Sequence, residues 1–142
     1  MGPRRVSHVL ALCAALAAAA ALGRPVALAA QSAAPASWQA TPASVLKGAL
    51  RAAAVAQARY REAKGTYAAG ADPLALRLEP GVRVEILRAD RTSWQGKATY
   101  LTQPGRSCVV FVGALGGAEA PRTDGDREMA GEDGIPLCDR MR

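Results

Sequence analysis

The stretch from Thr41 to Tyr67, TPASVLKGALRAAAVAQARYREAKGTY, most constrains what this chain can fold into. It is the one long helical pattern after an N-terminal apolar run, and everything beyond it reads as short strands and turns. Such strands need an apolar helix face to cover them. The ends of the helix are well marked. Thr41 is a good N-cap, and Pro42 suits the first helical position, where a missing N–H is no loss. Lys64 in the last turn and Gly65 just past it form the C-terminal signature. Leu46, Ala49, Leu50, Ala53, Ala56, Gln57 and Tyr60 recur at helical spacing as one stripe, with Tyr60 its one large anchor. Lys47, Arg51, Ala58 and Glu62 fall on the opposite, water-facing side. Gly48 weakens the helix by about 1 kcal/mol relative to Ala. The alanine content lets a sheet approach closely. The expectation is an amphipathic core helix that docks through Tyr60.

The chain has 142 residues, enough for one domain. Its start reads as a separate segment. Basic Arg4 and Arg5 precede an apolar run from Val9 to Leu22, shorter than the about 20 residues a membrane span needs. Ala27-Leu28-Ala29 supplies a small-x-small cleavage site, so residues 1–29 read as a secretory signal peptide, cut after Ala29 or, next, after Ala30. A retained N-terminal anchor is the alternative. No transmembrane segment is expected after signal removal, and residues 30–40 read as a flexible leader in which Trp38 is the one large apolar side chain.

The formal charge of the whole chain is +6. Losing Arg4, Arg5 and Arg24 leaves 15 basic and 12 acidic side chains. Residues 30–106 are basic and residues 107–142 acidic, a pattern of self-compensating solvated faces rather than a nucleic-acid site. Cys13 leaves with the signal peptide. Cys108 and Cys138 remain, an even pair suited to a disulfide in an oxidising, extracytoplasmic compartment.

After the helix, residues 68–80 form a loop pinned by Leu74, Leu76 and Leu78, and Pro80-Gly81 turns the chain. Val82 to Arg88 alternates as a half-buried strand, with Val82, Val84 and Ile86 inward. Ser93 to Thr102 is a second strand, with Trp94, Gly96, Ala98 and Tyr100 on one face. Small Gly96 and Ala98 mark where the helix should lie closest. Gln103-Pro104-Gly105-Arg106 has the order of a type II turn. Ser107 to Val112 is a third strand, apolar on both faces, and is therefore either covered on both sides or central. Residues 113–134 read as a mobile surface loop, Cys138 returns to the core, and residues 140–142 read as a frayed end. The fold class is α+β: one N-terminal helix packed on a three- to four-stranded antiparallel meander, with a C-terminal disulfide loop.

Catalytic machinery is sparse. The single histidine, His8, lies in the signal peptide, so the exported chain has no imidazole for a metal, a nucleophile pair or a proton shuttle. No phosphate-cradling glycine loop opens a helix, and no cofactor is expected. Asp124-Gly125-Asp126-Arg127-Glu128 with Glu132-Asp133, within the acidic loop 119–133, offers oxygen ligands of the kind Ca²⁺ takes. The spacing does not match an EF-hand and Arg127 intrudes, so a solvated acidic loop is the expectation. Trp94 and Tyr100 with Arg88, Arg91 and Lys97 have the composition of a base-stacking platform, but both aromatics fall on the face assigned to the core.

Ala56-Gln57 and Tyr60 followed by Gly65-Thr66-Tyr67 resembles the helix end of type IV pilin-like proteins, where AQ-x-x-Y-x(4)-GTY recurs. Trp94, Ala98-Thr99, then Pro104-Gly105-x-Ser107-Cys108-x-x-Phe111-Val112-Gly113 and Gly134-x-Pro136-x-Cys138 are similar to the strands and terminal disulfide of small pilin-like (pseudopilin-like) head domains. The resemblance covers roughly Ser44 to Cys138 and implies a helix laid on an antiparallel sheet, in a structural or interaction module of the cell envelope with protein partners. It does not reach the N-terminus. Pilins carry a basic leader, a glycine cleavage point and an early glutamate on a long apolar helix, whereas no acidic residue precedes Glu62 here. The resemblance therefore implies the head domain alone, residues 41–142, and no enzyme.

Overall fold

The computed structural model of the protein describes residues 39–141. The expected signal peptide with its expected cleavage points Ala29 and Ala30, Trp38, and all but the last two residues of the expected leader lie outside the described residues. Helix α1 spans Pro42–Lys64 and is followed by a short 3-10 turn, Asp72–Leu74. Four strands follow: β1 Val82–Ala89, β2 Trp94–Tyr100, β3 Ser107–Val112 and β4 Leu137–Cys138. They form one antiparallel sheet in sequence order. The fold is α+β, with the helix against one face of this sheet. No helix among the described residues is long and apolar enough to cross a membrane.

The ends of α1 follow its sequence signals. The Thr41 hydroxyl accepts a hydrogen bond from the Ser44 N–H at 3.2 Å. Gly65 closes the helix in the left-handed region at φ 74°, and its N–H donates to the Arg61 carbonyl. The buried face is Leu46, Ala49, Leu50, Ala53 and Gln57. Leu46, Leu50 and Ala53 are fully buried against Val84, Trp94, Ala98, Cys108 and Val110. Tyr60 is half-buried and stands outside this cluster. The expected anchor is thus displaced: Tyr67, beyond the glycine cap, supplies the buried aromatic next to the helix end. The buried face of α1 ends at Gln57, which meets the returning backbone at Ala68, and a helical period cannot show where its partner stops.

Strand β1 keeps its alternation through Ile86 and then bulges, so that Arg88 pairs with Gln95 and Ala89 with Trp94. The extra residue, Leu87, is left exposed, and Ala89 returns to the core side. Gly96 does not mark a close approach of the helix. A Cβ there would lie 2.6 Å from Cζ3 of Trp94, so the glycine makes room for the indole two residues before it on the same face. Gly113 is needed for a different reason. It sits at φ 87°, and a Cβ would collide with the Thr92 carbonyl oxygen of the neighbouring hairpin.

The largest departure from expectation lies after Gly113. Residues 114–136 do not form a detached loop; they pack over the sheet face opposite α1. Val109, Ser107 and Thr123 are fully buried there, with Gln95, Ala130 and Asp139 close to it. This explains why β3 is apolar on both faces: the helix covers one and the C-terminal segment the other. A bridge between Arg122 and Met129 shapes the segment. Beyond Cys138, Asp139 is buried, the Arg140 N–H donates to Asp126 and Met141 packs on the core, so these residues are not frayed; Arg142 lies outside the described residues.

Candidate functional site

Three constructions give the domain its surfaces, and each begins from backbone groups that need partners. The first is the helix end. Gln57 is fully buried, and its side-chain amide grips Ala68 twice. Nε2 donates to the Ala68 carbonyl at 2.9 Å, and Oε1 accepts from the Ala68 N–H at 2.7 Å. The chain leaving the helix is thereby tied back onto it, as buried backbone groups require. Arg61 lies over the Tyr67 ring at 5.2 Å. The Tyr67 N–H donates to the Asp90 carbonyl at 3.0 Å, joining the segment to the β1–β2 turn. That turn is organised by the Asp90 carboxylate, which accepts from the Thr92 and Ser93 N–H groups at 2.7 and 2.8 Å. The Thr92 N–H bond, then that of Ser93, holds its pKa down to about 2.

The second construction is a clasp around Asp139. Its carboxylate accepts from the Ser107 N–H at 2.8 Å, the Gly125 N–H at 2.9 Å and the Asp126 N–H at 2.6 Å. Burial pushes the carboxyl up, but these bonds and one from the Thr123 hydroxyl outweigh it, and the net shift is downward. Asp126 in turn accepts from the Arg140 N–H and from Arg106, each at 2.8 Å, and its pKa is lowered by the former first. Asp124 donates its N–H to the Ser107 hydroxyl at 2.8 Å and pairs with Lys97 at 3.4 Å. The Asp124-Gly125-Asp126 turn therefore presents N–H groups to an internal anion. Its carboxylates are drawn to Lys97, Arg106 and Arg140, while Asp133 accepts the Gly113 N–H at 3.0 Å. No three His, Cys, Asp or Glu side chains gather as metal ligands among the described residues.

Cys108 and Cys138 are brought together as sequence reasoning expects. They are directly opposite in the β3–β4 ladder and joined by a disulfide. A structural disulfide of this kind fits an oxidising environment outside the cytoplasm. Asp139 was not singled out from the sequence, yet a signal exists. Once Cys108 and Cys138 are opposite in an antiparallel pair, Ser107 and Asp139 are opposite too, and the Asp139 N–H does donate to the Ser107 carbonyl at 2.9 Å. Of the aromatic pair considered for base stacking, Trp94 is buried in the core, and Tyr100 is partly buried against it.

The third construction is a groove of about 570 Å³ along the first half of α1. Ser44, Val45, Gly48 and Ala52 form the helix wall; Leu78, Val82 and Tyr100 form the other, with Arg77 and Glu79 also at the lining. The groove exists because the helix wall is built of small residues: a Cβ on Gly48 would meet nothing within 4 Å. It opens to solvent.

No protein-family model matches the chain, and no curated protein matches it.

Proposed function

We propose that this chain is a non-enzymatic, exported structural or interaction module of the cell envelope, with the architecture of a type IV pilin-like head domain. The observation that carries the reading is the tie of the helix end: Gln57 grips the backbone of Ala68 across the Gly65 cap, and Tyr67 is buried behind it. The Gln and GTY positions of the pilin-like motif thus have a structural task here, joining the helix to the sheet. The disulfide supports export to the periplasm or beyond. The polar residues that could suggest chemistry are instead used to hold backbone, as Asp90 and Asp139 do.

A direct test places a photo-crosslinking residue at Ala52 in the groove and at Met129 on the C-terminal layer, in cells exporting the full chain. The reading expects adducts with a defined envelope protein, identified by mass spectrometry as a subunit of a pilus-like or secretion assembly. Absence of protein adducts at both positions would count against it. A second reading, a small envelope domain that binds a small ligand or polymer, is favoured by the volume of the groove. Native mass spectrometry decides it: a small molecule retained by the exported protein and lost on filling the groove with Gly48→Leu would replace the first reading.

A further inference from the structure

We propose that the open edge of β1 takes up an extended segment of a partner protein as an added strand beside the four of the sheet. This names the kind of partner for the interaction module above and rests on that reading. β1 is an edge of the sheet, with β2 as its only neighbouring strand. The Leu101 N–H donates to the Gly81 carbonyl at 3.0 Å, which fixes the phase of the β1–β2 ladder. Bonded and non-bonded pairs alternate in an antiparallel ladder. Arg83, opposite Thr99, and Glu85, opposite Lys97, therefore turn their backbone groups toward β2. Val84 and Ile86 turn theirs away from it. Among the described residues, no hydrogen bond is made to these outward N–H and C=O groups.

The loop that runs beside this edge does not satisfy it. Its turn at Asp72–Leu74 spends its backbone internally: the Leu74 N–H donates to the Ala71 carbonyl at 3.0 Å and the Ala75 N–H to that of Asp72 at 3.2 Å. Between this loop and Val82, Arg83 and Val84 lies a hollow of about 350 Å³, with Leu76 and Leu78 on the loop side. Donors and acceptors that recur at every second residue match an extended chain, whereas a helix has already bonded its own. Past Ile86 the bulge at Leu87 twists the edge away, so the open stretch is residues 82–86. Charge sets the outer face of the added strand. Arg83 is exposed and takes part in none of the ion pairs of the described residues, whereas Glu85 pairs with Lys97 at 3.8 Å. An acidic side chain beside Arg83 matches it. Asp72, the acid at the hollow, belongs to the loop wall. The segment that fits is thus extended, with an acid on its outer face and small or apolar residues toward the hollow.

Residue-resolved amide exchange tests this on oxidised protein recovered from cells expressing the full chain. The probe is a capped peptide that alternates valine and threonine around one aspartate. In the free protein the Val84 and Ile86 amides should exchange faster than those of Arg83 and Glu85. The peptide should slow both in a saturable titration. The same peptide N-methylated throughout keeps its side chains but loses its backbone donors, and should bind about tenfold more weakly or worse. Lysine in place of the aspartate should weaken binding to the wild type, and Arg83→Glu, an exposed change checked by circular dichroism, should reverse that preference. No slowing at Val84 and Ile86, equal binding of the methylated peptide, or a charge preference unchanged in Arg83→Glu would overturn the proposal. So would slowing of both amides that grows with protein concentration in the absence of peptide, which would put a second copy on the edge. Failure of the peptide while Ala52 or Met129 still forms an adduct with an envelope protein would overturn strand addition alone. Failure with no protein adduct at either position would remove the interaction-module reading as well.

Discussion

At the scale of single residues, the informative side chains are those that satisfy buried backbone. Gln57→Ala leaves the Ala68 N–H and carbonyl without partners in a buried site, at a cost of roughly 2–3 kcal/mol. Tyr60→Ala should cost less than Leu50→Ala, for which about 2–5 kcal/mol is expected, because Leu50 is fully buried and Tyr60 lies outside the core. Urea denaturation of the three variants checks both statements, and equal losses at Tyr60 and Leu50 would return Tyr60 to the role its spacing suggests. Asp139 and Asp90 set the acid limit. Both have native pKa values below the ordinary aspartate value, so each adds stability that is complete above about pH 4 and is lost as pH falls through the native value, about 2 for Asp90. Asp139→Asn should therefore lower stability at neutral pH and flatten its decline below pH 4, read from chemical denaturation across pH. An unchanged acid slope would mean that the carboxylate is not held as its four donors indicate.

Among the elements, α1 and the strands were legible in the sequence, and the C-terminal layer was not. The N-cap, the glycine stop and the inward residues of β1 and β2 are local signals, and the structure keeps them. Residues 114–136 carry no such period, because they dock through backbone N–H groups and through Thr123, Ala130 and Pro121 rather than an apolar stripe. Glycine- and acid-rich composition resembles a solvated loop when those groups have no visible partner; the partner, Asp139, comes from beyond it in the chain. The one sequence hint was β3, whose second apolar face required a cover. This changes what the disulfide does. Its removal should cost roughly 3–4 kcal/mol on the chain-entropy model for a separation of 30 residues. It is not the only tie, since the Asp139 bonds also hold the segment. Reduction alone should lower the melting temperature while leaving the native loop resistant to protease at room temperature. Reduction combined with Asp139→Ala should make it sensitive, and cleavage in the reduced wild type as fast as in the reduced variant would contradict this.

For the whole molecule, the sheet lies between a helix and an irregular layer, and both are fastened by buried polar contacts at the chain segments that leave the core. The resulting surfaces are a groove beside α1 and a C-terminal face held by the Asp139 bonds. The candidate site was legible only in part, because a groove arises from three segments distant in sequence and its small helix residues look like ordinary alanine content. The C-terminal layer is a rigid part of the scaffold, tied to β3 through Asp139. Hydrogen exchange of the oxidised protein measures this. The amides of Gly125 and Asp126 and that of Ser107 all donate to Asp139, and they should exchange on the timescale of the β2–β3 ladder. Exchange of Gly125 and Asp126 at the rate of an open loop, while Ser107 and the ladder stay protected, would contradict the account.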